Sequence, residues 1–71
     1  MTKDEALKLE PGTKLKVTNT GEIVTFEGFV TFEIPPYGEP TLFCKLLTPN
    51  GSYGFQQPQD MGPFEVVKDD S

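Results

Sequence analysis

The sequence contains no histidine, no arginine and no tryptophan, and its one cysteine is Cys44. Each absence removes a chemistry. Without His the chain loses the only side chain that titrates near neutrality unperturbed. Neither a Ser-His nor a Cys-His nucleophile pair can be assembled. A zinc site needs several His or Cys ligands, and Cys44 supplies one. Without Arg there is no bidentate fork for phosphate or guanine, and no Gly-rich loop runs into Lys-Ser/Thr. The 11 acidic residues leave a carboxylate pair formally available. A chain of 71 residues, however, leaves little room for a substrate pocket of roughly 300 Å³ or more. The expectation is a protein that is not an enzyme and takes no metal and no cofactor.

Long apolar runs are lacking as well. None approaches the ~20 residues of a membrane-spanning helix. The opening MTKDEALKLE has no apolar stretch of the secretory kind. A lone cysteine closes no intramolecular disulfide, whereas small secreted domains carry several. A cytoplasmic protein without a membrane partner is expected. Cys44 itself reads as a small apolar residue within a strand, with nothing near it in sequence to lower its pKa.

What remains is a small globular composition. The chain is 35% apolar, with six Phe and two Tyr, and seven Gly and seven Pro punctuate it. One domain over 1–71 is expected. The net charge is −5, and all six basic residues are Lys. Lys3, Lys8, Lys14 and Lys16 precede Val17. No basic residue follows until Lys45, while Glu22, Glu27, Glu33 and Glu39 fall between. Such a segment repels a nucleic-acid polyanion. It reads either as a solvated surface or as an acidic face for a partner protein with a basic surface.

Thr2-Lys3-Asp4-Glu5 fits a capping box, and Pro11-Gly12 stops the short helix of about Lys3 to Leu9 that it starts. Lys14 to Thr18 alternates with Leu15 and Val17 inward. Ile23 to Ile34 is the main strand. Val24, Phe26, Val30, Phe32 and Ile34 share one parity and form the expected core side. Ile23, Thr25, Glu27, Phe29, Thr31 and Glu33 share the other. Twelve extended residues span about 40 Å, against a diameter near 30 Å for a domain this size. The strand must therefore bend or divide, and Gly28 at its middle permits a bend or bulge. Thr41 to Thr48 is the next strand, and Asn50-Gly51 marks a hairpin. Ser52 to Gln57 and Phe64 to Lys68 are the last two strands, with a 3₁₀-type turn between Pro58 and Pro63.

Five short strands, a tight hairpin and that turn read as an all-β chain folded into a small closed barrel. An OB-fold normally places a helix between its third and fourth strands, and here only Pro49 to Ser52 fills that gap. Pro11-Gly12-Thr13-Lys14-Leu15-Lys16-Val17 resembles the PG-x-x-V-x-V opening of many SH3-like barrels. Gly21-Glu22 with Phe26-Glu27-Gly28-Phe29-Val30 resembles the GE-x-G-x-V strand pair of their KOW and Tudor-like branches. Asn50-Gly51-Ser52-Tyr53-Gly54 is similar to their distal hairpin. The resemblance implies a five-stranded SH3-like barrel over about 11–68, a short helix within 1–10 and a frayed tail at 69–71. KOW barrels bring basic side chains where this chain has Glu22 and Glu27, and the proline-peptide groove of SH3 domains uses a Trp. The resemblance therefore speaks to fold rather than ligand. Small SH3-like proteins also serve as accessory subunits of larger complexes.

The candidate partner-binding residues are Phe29, Tyr37, Phe43, Tyr53, Glu27, Glu33 and Glu39. Phe29 lies on the polar parity of the long strand, and Phe43 alternates against Leu42 and Cys44. Side by side on paired strands they would make an apolar outer patch. The alternatives are that Gly28 bulges and turns Phe29 inward, or that Leu7 and Leu9 fold back over the patch. A bulge would also turn Thr31 and Glu33 inward. Tyr37, at the tip of a Pro-rich loop, has the apolar body and polar end of many interface anchors. The function expected is a small acidic protein-binding module or accessory subunit. An inhibitor of the bacteriophage type, occupying a basic groove of a host enzyme, is the alternative; a nucleic-acid barrel ranks below both. A homodimer is a further arrangement open to the sequence.

Overall fold

The computed structural model describes residues 1–33 and 38–67. The chain forms α1 (Lys3–Ala6), β1 (Lys14–Val17), β2 (Ile23–Glu33), β3 (Pro40–Leu47), β4 (Tyr53–Gln56), a 3₁₀ turn (Pro58–Asp60) and β5 (Phe64–Val66). The strands make one antiparallel sheet in the order β4-β3-β2-β1-β5. The protein is thus all-β with one short helix, and β4 and β5 form the two edges of the sheet.

The helix starts as its capping box dictates. Glu5 N donates to Thr2 Oγ1 at 3.2 Å and Thr2 N donates to Glu5 Oε1 at 3.0 Å. These bonds hold the Glu5 carboxyl below its ordinary range, the donation from the Thr2 backbone contributing most. The helix is shorter than Lys3 to Leu9: it closes at Ala6, and Leu7 is left 43% exposed. Four residues cannot hold a helix by themselves. Instead α1 packs against the 3₁₀ turn, Ala6 enters the core, and the Met1 ammonium donates to the carbonyls of Met61 (3.3 Å), Gly62 (3.1 Å) and Phe64 (2.8 Å).

The core gathers Ala6, Leu15, Val24, Phe26, Cys44, Leu46, Met61 and Phe64 on one side of the sheet. Along β1 and the first half of β2 the alternation expected from sequence holds: Leu15, Val24 and Phe26 are buried. It then breaks. Phe26 pairs with Leu46, but Gly28 pairs with Lys45, so Glu27 is an extra residue with no partner on β3. This is a β-bulge. Gly28 sits at φ +120°, a conformation that a side chain disfavours. Beyond the bulge the parity is inverted. Phe29 now pairs with Cys44 on the core side, and Val30, paired with Phe43, turns to the other face.

Two expectations are corrected here. Val30 and Phe32 do not join the core; Phe32 is 43% exposed. Ile34, placed with them, lies outside the described residues. Thr31 and Glu33 do take the core-side parity, yet both stay exposed. The reason is length. β1 pairs only with Ile23–Thr25 of β2, and β4 only with Cys44–Leu47 of β3. The rest of β2 and β3 runs on as a two-stranded ribbon past the core, where turning inward buries nothing. The long strand does not divide; the molecule is elongated instead, 44 × 27 × 22 Å.

The β3–β4 hairpin forms where Asn50-Gly51 predicts it. Thr48 N donates to Ser52 O at 2.8 Å, Gly51 takes φ +88°, and Asn50 Oδ1 accepts from Ser52 N at 3.1 Å and from the Thr48 hydroxyl.

Candidate functional site

The face of the sheet turned away from the core is built by the strand registers. Lys16 pairs with Ile23 and Glu65. Lys14, Thr25, Leu47 and Tyr53 form the next row across four strands. Gly28, Lys45 and Phe55 follow, then Val30 with Phe43, then Phe32 with Thr41. β1 and the first half of β2 present residues of one parity, the second half of β2 the other. The bulge thus brings Val30 and Phe32 to the same face as Ile23 and Thr25.

The aromatic side chains of this face touch one another. Phe32 lies 5.4 Å from Phe43 and 5.2 Å from Phe55 between ring centroids, the second contact edge to face. Such pairs contribute about 0.5–1.5 kcal/mol beyond the area they bury. Phe43 is half-buried at the centre, while Phe32 and Phe55 are 43% and 41% exposed. Beside them the Lys45 ammonium lies 4.3 Å from the centroid of the Tyr53 ring, a cation–π contact. Tyr53 is 52% exposed. Lys14 Nζ donates to Thr25 Oγ1 at 2.8 Å, so this lysine too is held against the sheet. The surface is a face rather than a cleft: no pocket opens among the described residues.

The residues expected to form one binding surface are divided by the fold. Phe43 and Tyr53 are on this face. Phe29 is on the other, edge to face with Phe26 at 5.0 Å, so the Phe29–Phe43 patch does not form; Phe43 meets Phe32 instead. Glu27 is the exposed extra residue of the bulge, Glu33 pairs with Pro40 on the Phe29 parity, and Glu39 is exposed ahead of β3. Glu33 and Glu39 have no register position on the aromatic face, whereas Glu27, between core-side Phe26 and outer-side Gly28, lies on the outer side next to Lys45. Tyr37 lies outside the described residues. Leu7 and Leu9 do not fold back over such a patch: Leu7 is exposed, Leu9 packs against the core, and α1 packs on the 3₁₀ turn.

Sequence reasoning missed Phe32, Phe55 and Lys45. Phe55 and Lys45 carried a usable signal. Tyr53 and Phe55 are two residues apart on one strand, as are Phe43, Lys45 and Leu47 on its neighbour, so each set shares a face. Phe32 was hidden by the inverted parity. Cys44 is fully buried, and burial pushes its thiol above the ordinary value. No helix is long and apolar enough to cross a membrane among the described residues. No family model, no curated protein and no solved structure matches the chain.

Proposed function

We propose that the chain is a non-enzymatic protein-binding module, an accessory subunit of a larger complex, that binds through the outer face of its sheet. The observation that carries this reading is the contiguous cluster in which exposed Phe32 and Phe55 flank half-buried Phe43, with exposed Tyr53 beside it. A fully exposed aromatic side chain presents ~150–250 Å². At the exposures observed, Phe32, Phe55 and Tyr53 together present roughly 270 Å². Ile23, Val30, Phe43 and Leu47 enlarge the patch towards the largest found on ordinary monomers, roughly 300–600 Å² and often functional. One side of a standard interface contributes ~800 Å², with aromatic anchors at its centre.

The same reading proposes an SH3-like barrel. Its support is the strand order β4-β3-β2-β1-β5, the β3–β4 hairpin and the 3₁₀ turn just before the last strand.

The test is affinity capture with the wild-type chain and with a Phe32→Ser/Phe55→Ser variant, after nuclease treatment. Both side chains are exposed, so the variant is expected to fold, as a cooperative melt will verify. The expected result is a protein retained in near-stoichiometric amount by the wild type and lost by the variant. Equal capture by both would remove the aromatic face from the reading.

A further inference from the structure

The outer face is not uniform. Lys14, Lys16 and Lys45 lie at one end of it, around Ile23, Thr25 and Tyr53. Phe32, Phe43 and Phe55 lie at the other, where no cation has a register position. Glu65 stands opposite Lys16 on this face, and Glu27, the exposed bulge residue between core-side Phe26 and outer-side Gly28, adjoins Lys45. In a chain with a net charge of −5, the described strands thus set three lysines against two acids on the face that holds the aromatic cluster. Two of those lysines are held close to the surface, Lys45 over the Tyr53 ring and Lys14 on the Thr25 hydroxyl.

From this charge complementarity we infer that the outer face takes an acidic, extended segment of a partner protein, with carboxylates at the lysine end and an aromatic or large aliphatic side chain at the phenylalanine end. The inference rests on the protein-binding reading and adds the chemistry of the partner. It reverses, for this face, the basic partner that the sequence suggested. The spacing follows from the strand. From the row of Lys45 to the row of Thr41 and Phe32 is four residues, about 13 Å. An extended ligand spans that distance with its acid about four positions from its anchor.

The competing occupants fit less well. A single-stranded nucleic acid carries a phosphate at every residue, and the aromatic end offers none of them a cation. A second copy of this chain would bring a face with an excess of lysine against itself.

The experiment selects binders of the full chain from a displayed library of random 12-residue peptides. Three chains are used: the wild type, Lys16→Glu/Lys45→Glu, and Lys3→Glu/Lys8→Glu, which changes net charge equally but away from the face. The expected result is enrichment of Asp and Glu about four residues from Trp, Phe or Leu on the wild type and on the Lys3/Lys8 variant. On the Lys16/Lys45 variant the preference for acid disappears. In anisotropy titrations a selected peptide should bind that variant about tenfold more weakly, the effect of losing two exposed charge contacts. Peptides enriched for apolar anchors with no preference for acid would overturn the inference and leave the protein-binding reading standing. Equal loss of acidic binding in both double variants would also overturn it, by showing net charge at work rather than this face. No enrichment, together with anisotropy changes on a 12-nucleotide oligothymidine, would overturn both.

Discussion

At the scale of single residues, the fold separates two phenylalanines that the sequence treats alike. Phe26 and Phe32 share a parity in an unbroken strand, yet one is fully buried and the other 43% exposed. Phe26→Ala should cost about 3–5 kcal/mol, the range for emptying a buried aromatic site. A small core seldom supplies more than ~3–5 kcal/mol in all, so this variant should be largely unfolded in a urea titration. Phe32→Ala should cost less, about 1–3 kcal/mol from its two aromatic contacts, and leave a folded chain with a lowered midpoint. It loses two ring contacts on a solvent face rather than emptying a buried site. A wild-type midpoint for Phe26→Ala would contradict the core described. The inward positions of Leu15, Val24 and Phe26 were legible because simple alternation governs them. The exposure of Phe32 was not, since alternation is counted along the chain and one unpaired residue resets it.

At the scale of the element, that reset belongs to the bulge at Glu27 and Gly28. The sequence marked Gly28 as the place where β2 yields. The inverted parity looked costly, since it turns Thr31 and Glu33 to the core side. The cost vanishes because β2 outruns the core, and the reach of a ribbon beyond its neighbours is a tertiary property that local pattern does not carry. Gly28→Ala should destabilise by about 1–3 kcal/mol, the cost of holding a side chain in a sparsely populated backbone region. Crowding is not the cause: a Cβ at Gly28 would meet its nearest neighbour, Pro11 Cγ, at 3.9 Å, an ordinary contact. Glu27→Ala, at the adjoining exposed position, should leave the urea midpoint within about 0.5 kcal/mol of wild type. Equal midpoints for Gly28→Ala and wild type would show that the bulge relaxes. The capping box and the Asn50-Gly51 hairpin were readable in full, because each is closed by residues within four positions of one another.

At the scale of the whole molecule, shape and charge go together. The sheet packs its core between one face, α1 and the 3₁₀ turn, and leaves the other face to solvent with the aromatic cluster and three lysines. None of this is visible in a charge count, which showed only an acidic middle segment. The ribbon of β2 and β3 carries a further consequence. Among the described residues its outer portions have no third strand on either side, so backbone donors and acceptors there are open to pairing with another chain. Free edges of this kind template the growth of sheets into fibrils. Here the last pair of the ribbon is Glu33 and Pro40, a charge on one edge and a residue without an N–H on the other, both of which obstruct that growth. Glu33→Val with Pro40→Val should therefore make the protein polymerise with time, seen as rising thioflavin fluorescence and loss of the slow-sedimenting species relative to wild type. An unchanged sedimentation profile would mean that something other than these two residues keeps the ribbon apart from its own kind.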